Sequence, residues 1–223
     1  MTVKPTIRLF GGIFGFCLSL ATTPLLAGPA EDVQILKGWM NGQFSSAKQV
    51  EVDDNAKLRF VYATLVSLPQ VPGEGFYFEW HGGQPDGPID SQRIWAFEAM
   101  DDHIVMRFYT FYEKADAALT GIQSADDVDV DALAALTPGD FYSYPEDCAF
   151  LLKREGDVIT GKNGTGACRI FNRSLDVWMR PDVTLSFASD GFNETAVYRY
   201  DSKANDSQPR PPLSVTQDFR ATN

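Results

Sequence analysis

The chain has 223 residues, a formal net charge of −11, 44% hydrophobic residues and 13% aromatic residues. This composition is sufficient to bury a hydrophobic core, and the length fits one domain. The strong negative charge repels nucleic-acid phosphates and no basic stripe offsets it, which excludes most functions that depend on binding a nucleic acid.

The N-terminal segment has the layout of a secretory signal peptide. Lys4 and Arg8 form a short basic region, residues 9–20 are apolar, and small residues lead to Ala27. The apolar run is too short and too rich in glycine to span a bilayer comfortably, and an uncleaved membrane anchor is the alternative interpretation. We therefore predict a signal peptide at residues 1–27.

The predicted mature protein is one exported domain. Cleavage after Ala27 leaves residues 28–223, whose length fits a single domain, and Ala30 is an alternative cleavage point. We expect this domain to be periplasmic or secreted, with no transmembrane segment once the signal is removed and with no nucleic acid as a partner.

The mature chain begins with a helical pattern and continues with a β pattern. Apolar residues recur at helical spacing in residues 31–44, which predicts an amphipathic helix. Aromatic and β-branched residues then predict strands, separated by glycine and proline, at residues 57–68, 75–81, 93–100 and 104–113. After a helical interlude, the β pattern returns from Cys148 to the C terminus.

This succession predicts a mostly β fold. About ten or eleven short strands favour an antiparallel β-barrel with an N-terminal helix and short helices in one long connection, because closure removes unpaired strand edges. A sandwich of two sheets is the alternative.

Two cysteines remain in the predicted mature chain once Cys17 leaves with the signal peptide. Export to an oxidising compartment lets Cys148 and Cys168 form a disulfide bond, which we predict joins adjacent strands. A redox pair usually has closer spacing. A zinc site would need His81 and His103 as further ligands, and these positions are not clustered in sequence, so we expect no metal.

Residues 93–100 and 104–113 read as a β-hairpin with Asp101 and Asp102 as a two-residue turn. The resulting register pairs Ala96 with Arg107, Ile94 with Tyr109, and Gln92 with Phe111. One face of the hairpin then carries Gln92, Glu98, Arg107 and Tyr109. The other face carries Arg93, Trp95, Phe97, Met106 and Phe108.

Either face could line the barrel. If the polar face points inward, it forms a semi-polar lining suited to an extended, partly apolar ligand that bears carboxylates. If it points outward, its charges meet solvent and the aromatic set is core. We predict the first arrangement, and a slip of one residue in register would reverse the relative facing of the strands.

Several short motifs lie in order along the mature chain: LKGWMNGQFSS, FYFEW with Glu79, SQRIW with Gln92 and Arg93, MRFYTF with Arg107 and Tyr109, and the spacing C-x12-G-x6-C from Cys148 to Cys168. Together they resemble the CpcT/CpeT family of phycobiliprotein chromophore lyases. Where the family has Tyr-Arg before its Gln-Arg pair, this chain has Asp90 and Ser91.

The resemblance implies a calyx-like antiparallel barrel, often a homodimer, that holds an open-chain tetrapyrrole (a bilin). A lyase of this type attaches the bilin to a cysteine of an acceptor protein, and the acceptor supplies the thiol nucleophile. The implied ligand-binding residues, together with Glu98 from the hairpin pattern, are Glu79, Gln92, Arg93, Glu98, Arg107 and Tyr109. The resemblance identifies no catalytic residue, and the alternative is an exported barrel that binds another amphipathic small molecule without chemistry.

Overall fold

The structure is a computed structural model that describes residues 28–111, 135–164, 166–172, 175–201 and 210–222. The predicted signal peptide lies outside these residues, and so does most of the long connection in which short helices were predicted. At the described end of that connection, Pro138–Asp140 and Glu146–Cys148 each form a short 3-10 turn.

Two helices and twelve strands make up the described chain. The helices are α1, Pro29–Met40, and α2, Ala47–Val50. The first six strands are β1 (Gly42–Ser45), β2 (Arg59–Val66), β3 (Glu74–Gly82), β4 (Ile89–Ala99), β5 (Ile104–Phe111) and β6 (Phe141–Ser143). The other six are β7 (Phe150–Glu155), β8 (Val158–Asn163), β9 (Ile170–Asn172), β10 (Val177–Ala188), β11 (Gly191–Tyr200) and β12 (Leu213–Ala221).

Ten of the strands close into an antiparallel barrel. Their order around the ring is β11, β12, β1, β2, β3, β4, β5, β7, β8 and β10, and pairing between β10 and β11 completes the ring. The two short strands β6 and β9 lie outside the ring, on β5 and β10 respectively. The predicted barrel is therefore confirmed over the sandwich.

Helix α1 packs its apolar side into the barrel core. Val33, Leu36 and Met40 are buried in the same cluster as the inward residues of the strands. The helix ends at Met40, four residues earlier than predicted, because Asn41 is extended and the chain then enters β1 to pair with β2. Neither helix in the described residues is both long and apolar enough to cross a membrane.

The hairpin of β4 and β5 has the predicted register. Ala96 lies opposite Arg107 and Ile94 opposite Tyr109, while the Met100 N–H donates to the His103 carbonyl at 2.9 Å. The pairing of β4 with β5 runs from Ile94 to Ala99, so the predicted pair of Gln92 and Phe111 lies beyond its end.

The predicted facing of the hairpin is wrong. The central core inside the ring takes the aromatic face, with Trp95, Phe97 and Met106 buried and Phe108 packed against them. Burying each large apolar side chain stabilises the fold by about 1.5–3 kcal/mol, whereas burying an unpaired charge costs far more. The polar face, which consists of Gln92, Glu98, Arg107 and Tyr109, therefore lies on the outer wall.

The outer wall of β3 to β5 is itself covered in part. A second apolar cluster there includes Tyr77, Ile94 and Tyr109, which pack with Leu136 and Phe141 from the connection after β5. Because these strands are apolar on both faces, alternation along the sequence could not show which face points inward.

Candidate ligand-binding site at the barrel mouth

A cavity of about 80 Å³ lies inside one end of the barrel. An outer groove of about 420 Å³ adjoins it and shares the lining residues Arg93, Tyr144, Ile170 and Met179. We call the cavity and the groove together the barrel mouth. The remaining cavity lining comprises Phe108, Cys148, Phe150, Asn163, Cys168, Pro181, Val183, Glu194 and Tyr198.

Arg93 is the positively charged residue of the cavity lining. It projects from β4 towards the lumen, and its Cζ lies 5.6 Å from the ring centroid of Trp80. The side chain is half-buried. Within the described residues its guanidinium has no hydrogen-bond or ion-pair partner. By contrast, a carboxylate pairs with each of the seven arginines at 59, 107, 154, 169, 180, 199 and 220.

A half-buried arginine without an anion is unusual, because a desolvated charge is destabilising unless it is paired. The neighbouring Trp80 ring offers a cation–π contact that offsets part of this cost. The planar guanidinium keeps its N–H donors for a bidentate contact with a carboxylate or a similar group. Arg93 therefore gives this side of the mouth the chemistry of an anion-binding group.

Aromatic rings form much of the cavity wall around this charge. The Phe108 ring centroid lies 6.1 Å from that of Tyr144 and 5.2 Å from that of Phe150, both in edge-to-face geometry. Such walls bind flat or extended apolar groups, while a few polar groups fix the orientation of the ligand. An amphipathic molecule matches this lining better than a small inorganic anion does.

The opposite wall carries Tyr198 and Glu194 on β11. The Tyr198 hydroxyl donates to Glu194 Oε1 at 3.3 Å. Burial is the main cause that raises the pKa of Tyr198 well above its usual range, the Glu194 carboxylate raises it further, and Arg93 opposes this shift. Tyr198 is therefore a neutral hydrogen-bonding group at any physiological pH.

The predicted disulfide is confirmed, and it forms part of the cavity wall. Cys148 and Cys168 are bonded, with 4.5 Å between their Cα atoms, and both are buried. The prediction that they lie on adjacent strands is wrong, because Cys148 ends a 3-10 turn and Cys168 lies in the loop before β9. The bond fastens the base of the β7–β8 hairpin, where Phe150 pairs with Asn163.

Asn163 completes the wall between β8 and β10. Its Nδ2 donates to the Pro181 carbonyl at 2.9 Å, and its Oδ1 accepts from the Val183 N–H at 2.9 Å. Because proline has no N–H to donate, a regular ladder cannot continue through this position. The side chain of Asn163 thus takes the place of the strand pairing that ends at Lys162.

Two of the predicted ligand-binding residues, Glu79 and Gln92, lie in a polar network on the outer wall. The Tyr77 hydroxyl donates to Glu79 Oε2 at 2.5 Å, and Gln92 Nε2 donates to the Tyr77 hydroxyl at 2.6 Å. His81 Nε2 lies 2.7 Å from Glu79 Oε1. Although it lies on the outer side of the barrel sheet, Glu79 is fully buried, so this network is part of the protein interior.

The predicted residues Glu98 and Arg107 form an ion-pair cluster elsewhere on the outer wall. Arg107 Nη1 donates to Glu98 Oε2 at 2.7 Å, and Arg107 Nε lies 3.0 Å from Glu146 Oε2. The hydrogen bond to Glu146 is the main cause that raises the pKa of Arg107, and the same bond lowers the pKa of Glu146. Tyr109, the remaining outer-wall residue, is buried in the second apolar cluster.

Of the six predicted residues, Arg93 alone lines the cavity. Sequence reasoning missed Glu194, Tyr198 and Tyr144. The alternating pattern of residues 192–198 could have identified two of them. Glu194 and Tyr198 share one face of the strand with Phe192 and Ala196, which are buried in the core. Tyr144 had no such signal, because an irregular segment outside the ring brings it to the mouth.

Comparisons with known proteins establish similarity of fold. No family model matches the chain, and no curated protein matches it. The solved structure of the CRL protein of Arabidopsis, in selenomethionine form, is similar over 88% of this chain and 100% of that chain, with a TM-score of 0.64 and 14% identity. The T-type phycobiliprotein lyase CpeT from Prochlorococcus phage P-HM1 covers 86% of this chain and 98% of its own, with a TM-score of 0.48 and 10% identity.

Proposed function

We propose that the chain is a small-molecule binding protein whose barrel mouth holds an amphipathic ligand with a carboxylate. The observation that supports this most directly is the half-buried Arg93, which has no anionic partner in the described residues and borders an aromatic cavity. A bound carboxylate would neutralise the guanidinium, and the aromatic walls would take the apolar part of the ligand.

An open-chain tetrapyrrole is the ligand suggested by the sequence motifs. Such a molecule has propionate carboxylates and planar rings, so both parts of the mouth would be used. Arg93 belongs to the Gln-Arg pair of those motifs and lines the cavity. The other motif residues, Glu79, Gln92, Arg107 and Tyr109, lie on the outer wall, so they would support the barrel and not contact the ligand.

Chromophore attachment is the second candidate function, and the same motifs favour it. Thioether formation needs a thiolate, but Cys148 and Cys168 are joined to each other and Cys17 lies in the predicted signal peptide. The nucleophile would therefore belong to an acceptor protein, with this chain presenting the bilin. A bilin incubated with the chain and a phycobiliprotein β subunit would become covalently bound to that subunit, as judged by mass spectrometry under denaturing conditions.

We also propose that the mature protein is exported to the periplasm or secreted. The disulfide supports this localisation, because such bonds persist in oxidising compartments and are rare in reducing ones. N-terminal sequencing of the natural protein tests the proposal. A mature N terminus at residue 28 or 31 is expected, and an intact Met1 would contradict it.

The binding proposal is tested with biliverdin and with dodecanoate as probes. Titration of the wild type should show saturable binding of at least one of them, by absorbance or calorimetry. Arg93→Gln should weaken binding at least tenfold, since a charged hydrogen bond contributes about 1.5–3 kcal/mol. Arg107→Gln is the matched control, because it removes an outer-wall arginine, and it should leave affinity unchanged. Equal binding by wild type and Arg93→Gln would contradict the proposal.

A further inference from the structure

A second charged residue faces Arg93 across the lumen. Arg93 lies on β4 and Glu194 on β11, and four strands of the ring separate these two strands in either direction. Both residues line the same cavity. They therefore project from opposite walls of the barrel towards one ligand space.

Glu194 points inward because of the alternation along β11. Phe192 and Ala196, two residues on either side of it, are buried in the central core. An inward carboxylate is costly unless it has partners. Its partner within the described residues is the Tyr198 hydroxyl at 3.3 Å, which is long for an O–H to carboxylate bond.

Arg93 and Glu194 form no direct ion pair within 4.0 Å, although both are half-buried and line the same cavity. Each therefore keeps hydrogen-bonding capacity for a third group between them. Arg93 can only donate and an ionised Glu194 can only accept, so a ligand that satisfies both must present an acceptor at one end and a donor at the other.

We propose that the ligand of the barrel mouth is a planar nitrogen heterocycle that binds Arg93 through a carboxylate and Glu194 through an N–H group. This inference rests on the proposed function and specifies the class of ligand. The aromatic rings of Phe108 and Phe150 favour a flat apolar body between the two polar ends. A fatty acid would satisfy Arg93 and leave the carboxylate of Glu194 under-satisfied.

The test uses two probes that differ in a single donor, indole-3-butyrate and 1-methylindole-3-butyrate. Calorimetric titration of the wild type should show about tenfold tighter binding of the probe that has the N–H. In Glu194→Met the two probes should bind with equal affinity, because the acceptor is gone. Glu98→Met, which removes a carboxylate from the outer wall, should keep the tenfold preference.

The variants separate this inference from the proposed function. If Arg93→Gln weakens the binding of both probes but the wild type binds them with equal affinity, the inference is overturned and the proposed function stands. A preference that persists in Glu194→Met would also overturn it. Failure of both probes to bind the wild type would contradict the inference and count against the proposed function. If Glu194→Met lacks the near-UV circular dichroism of the wild type, Glu194→Gln replaces it, and a reduced preference is expected.

Discussion

His81 Nε2 lies 2.7 Å from Glu79 Oε1 on the outer wall of the barrel, and both side chains are buried. The other ring nitrogen, Nδ1, lies 2.8 Å from the Gly87 carbonyl, so the imidazole bridges β3 and the loop before β4. With the hydroxyl of Tyr77 also bound to Glu79, the network links side chains that protrude from one face of β3. It anchors a region of sheet that is covered on both faces.

Removal of the buried carboxylate should destabilise the fold strongly. Glu79→Leu removes the carboxylate that the Tyr77 hydroxyl and His81 Nε2 contact, and breaking a buried pair of this kind costs about 3–5 kcal/mol. Urea unfolding measures the change. Glu98→Leu on the outer wall is the control and should cost about 1 kcal/mol or less, since Glu98 is part-exposed. Equal losses in the two variants would contradict a special role for the network.

Gln49 should stabilise the exposed side of β12. Its Nε2 donates to the Thr216 carbonyl at 2.8 Å and its Oε1 accepts from the Asp218 N–H at 3.0 Å, as a neighbouring strand would do. Gln49→Ala removes both bonds and should cost about 1–2 kcal/mol. Hydrogen exchange at the Asp218 amide should accelerate. Lys48→Ala, at an exposed position in the same helix, is the control. An unchanged hydrogen-exchange rate at the Asp218 amide in Gln49→Ala would refute the prediction.

Asp102 should make a small contribution to stability that disappears in acid. Its pKa is lowered from 3.8 to about 2, mainly by the hydrogen bond to His103 and then by Lys153. The unfolded state therefore binds more protons than the folded state between these two values, and stability rises with pH across that window. The contribution is fully present above about pH 4 and is lost as the pH falls through about 2.

The comparison of Asp102→Asn with the wild type tests the predicted direction of this pH dependence. The wild type should have the higher urea midpoint at pH 5, and the two midpoints should converge towards pH 2. Asp101→Asn in the same turn is the control, because no hydrogen bond or ion pair involves the Asp101 carboxylate in the described residues. A difference between wild type and Asp102→Asn that stays constant from pH 5 to pH 2 would contradict the prediction.

Reduction of the disulfide should weaken both stability and ligand binding. Opening the bond between Cys148 and Cys168 frees a loop of 19 intervening residues, which costs about 3 kcal/mol on the chain-entropy model. Because both cysteines line the cavity, we expect the affinity for biliverdin to fall in reductant. Absorbance titration with and without dithiothreitol measures this effect. An unchanged affinity in a protein shown to be reduced would contradict it.

Ser91→Arg together with Asp90→Tyr should strengthen the binding of biliverdin about tenfold. Ser91 lies opposite Trp80 and shares the inner face of β4 with Arg93, so an arginine there would add a second cation near the mouth. Asp90 is the extra residue of a bulge and pairs with Arg59 at 3.6 Å. Its removal takes away a carboxylate that repels propionates. Absorbance titration at two salt concentrations should show that the gain in affinity for biliverdin is smaller at high salt. A double variant that binds biliverdin no more tightly than the wild type would contradict the prediction.

The sequence was informative wherever local chemistry decides structure. The turn at Asp101 and Asp102 set the register of the β4–β5 hairpin, and the strand pattern indicated a barrel. The prediction of which face of this hairpin points into the barrel was wrong, because the wall here has two apolar faces. Leu136 and Phe141 cover its outer face, and only the assembled ring shows which face is inside. The same ambiguity applies to the positions of the six predicted ligand-binding residues. Five of the six predicted residues lie on the outer wall, and Glu194 joins Arg93 only through ring closure.

The burial of Asn163 matters for biosynthesis of this protein in a host that attaches N-linked glycans. With Gly164 and Thr165 it forms an acceptor sequence for N-linked glycosylation, and Nδ2 is the atom to which the glycan is attached. In the folded barrel that atom donates to the Pro181 carbonyl, and the residue is 3% exposed. A host that glycosylates nascent chains would therefore modify this asparagine before β8 meets β10, and the modified molecules could not close the barrel at this point. Folding and glycosylation would compete for one nitrogen atom.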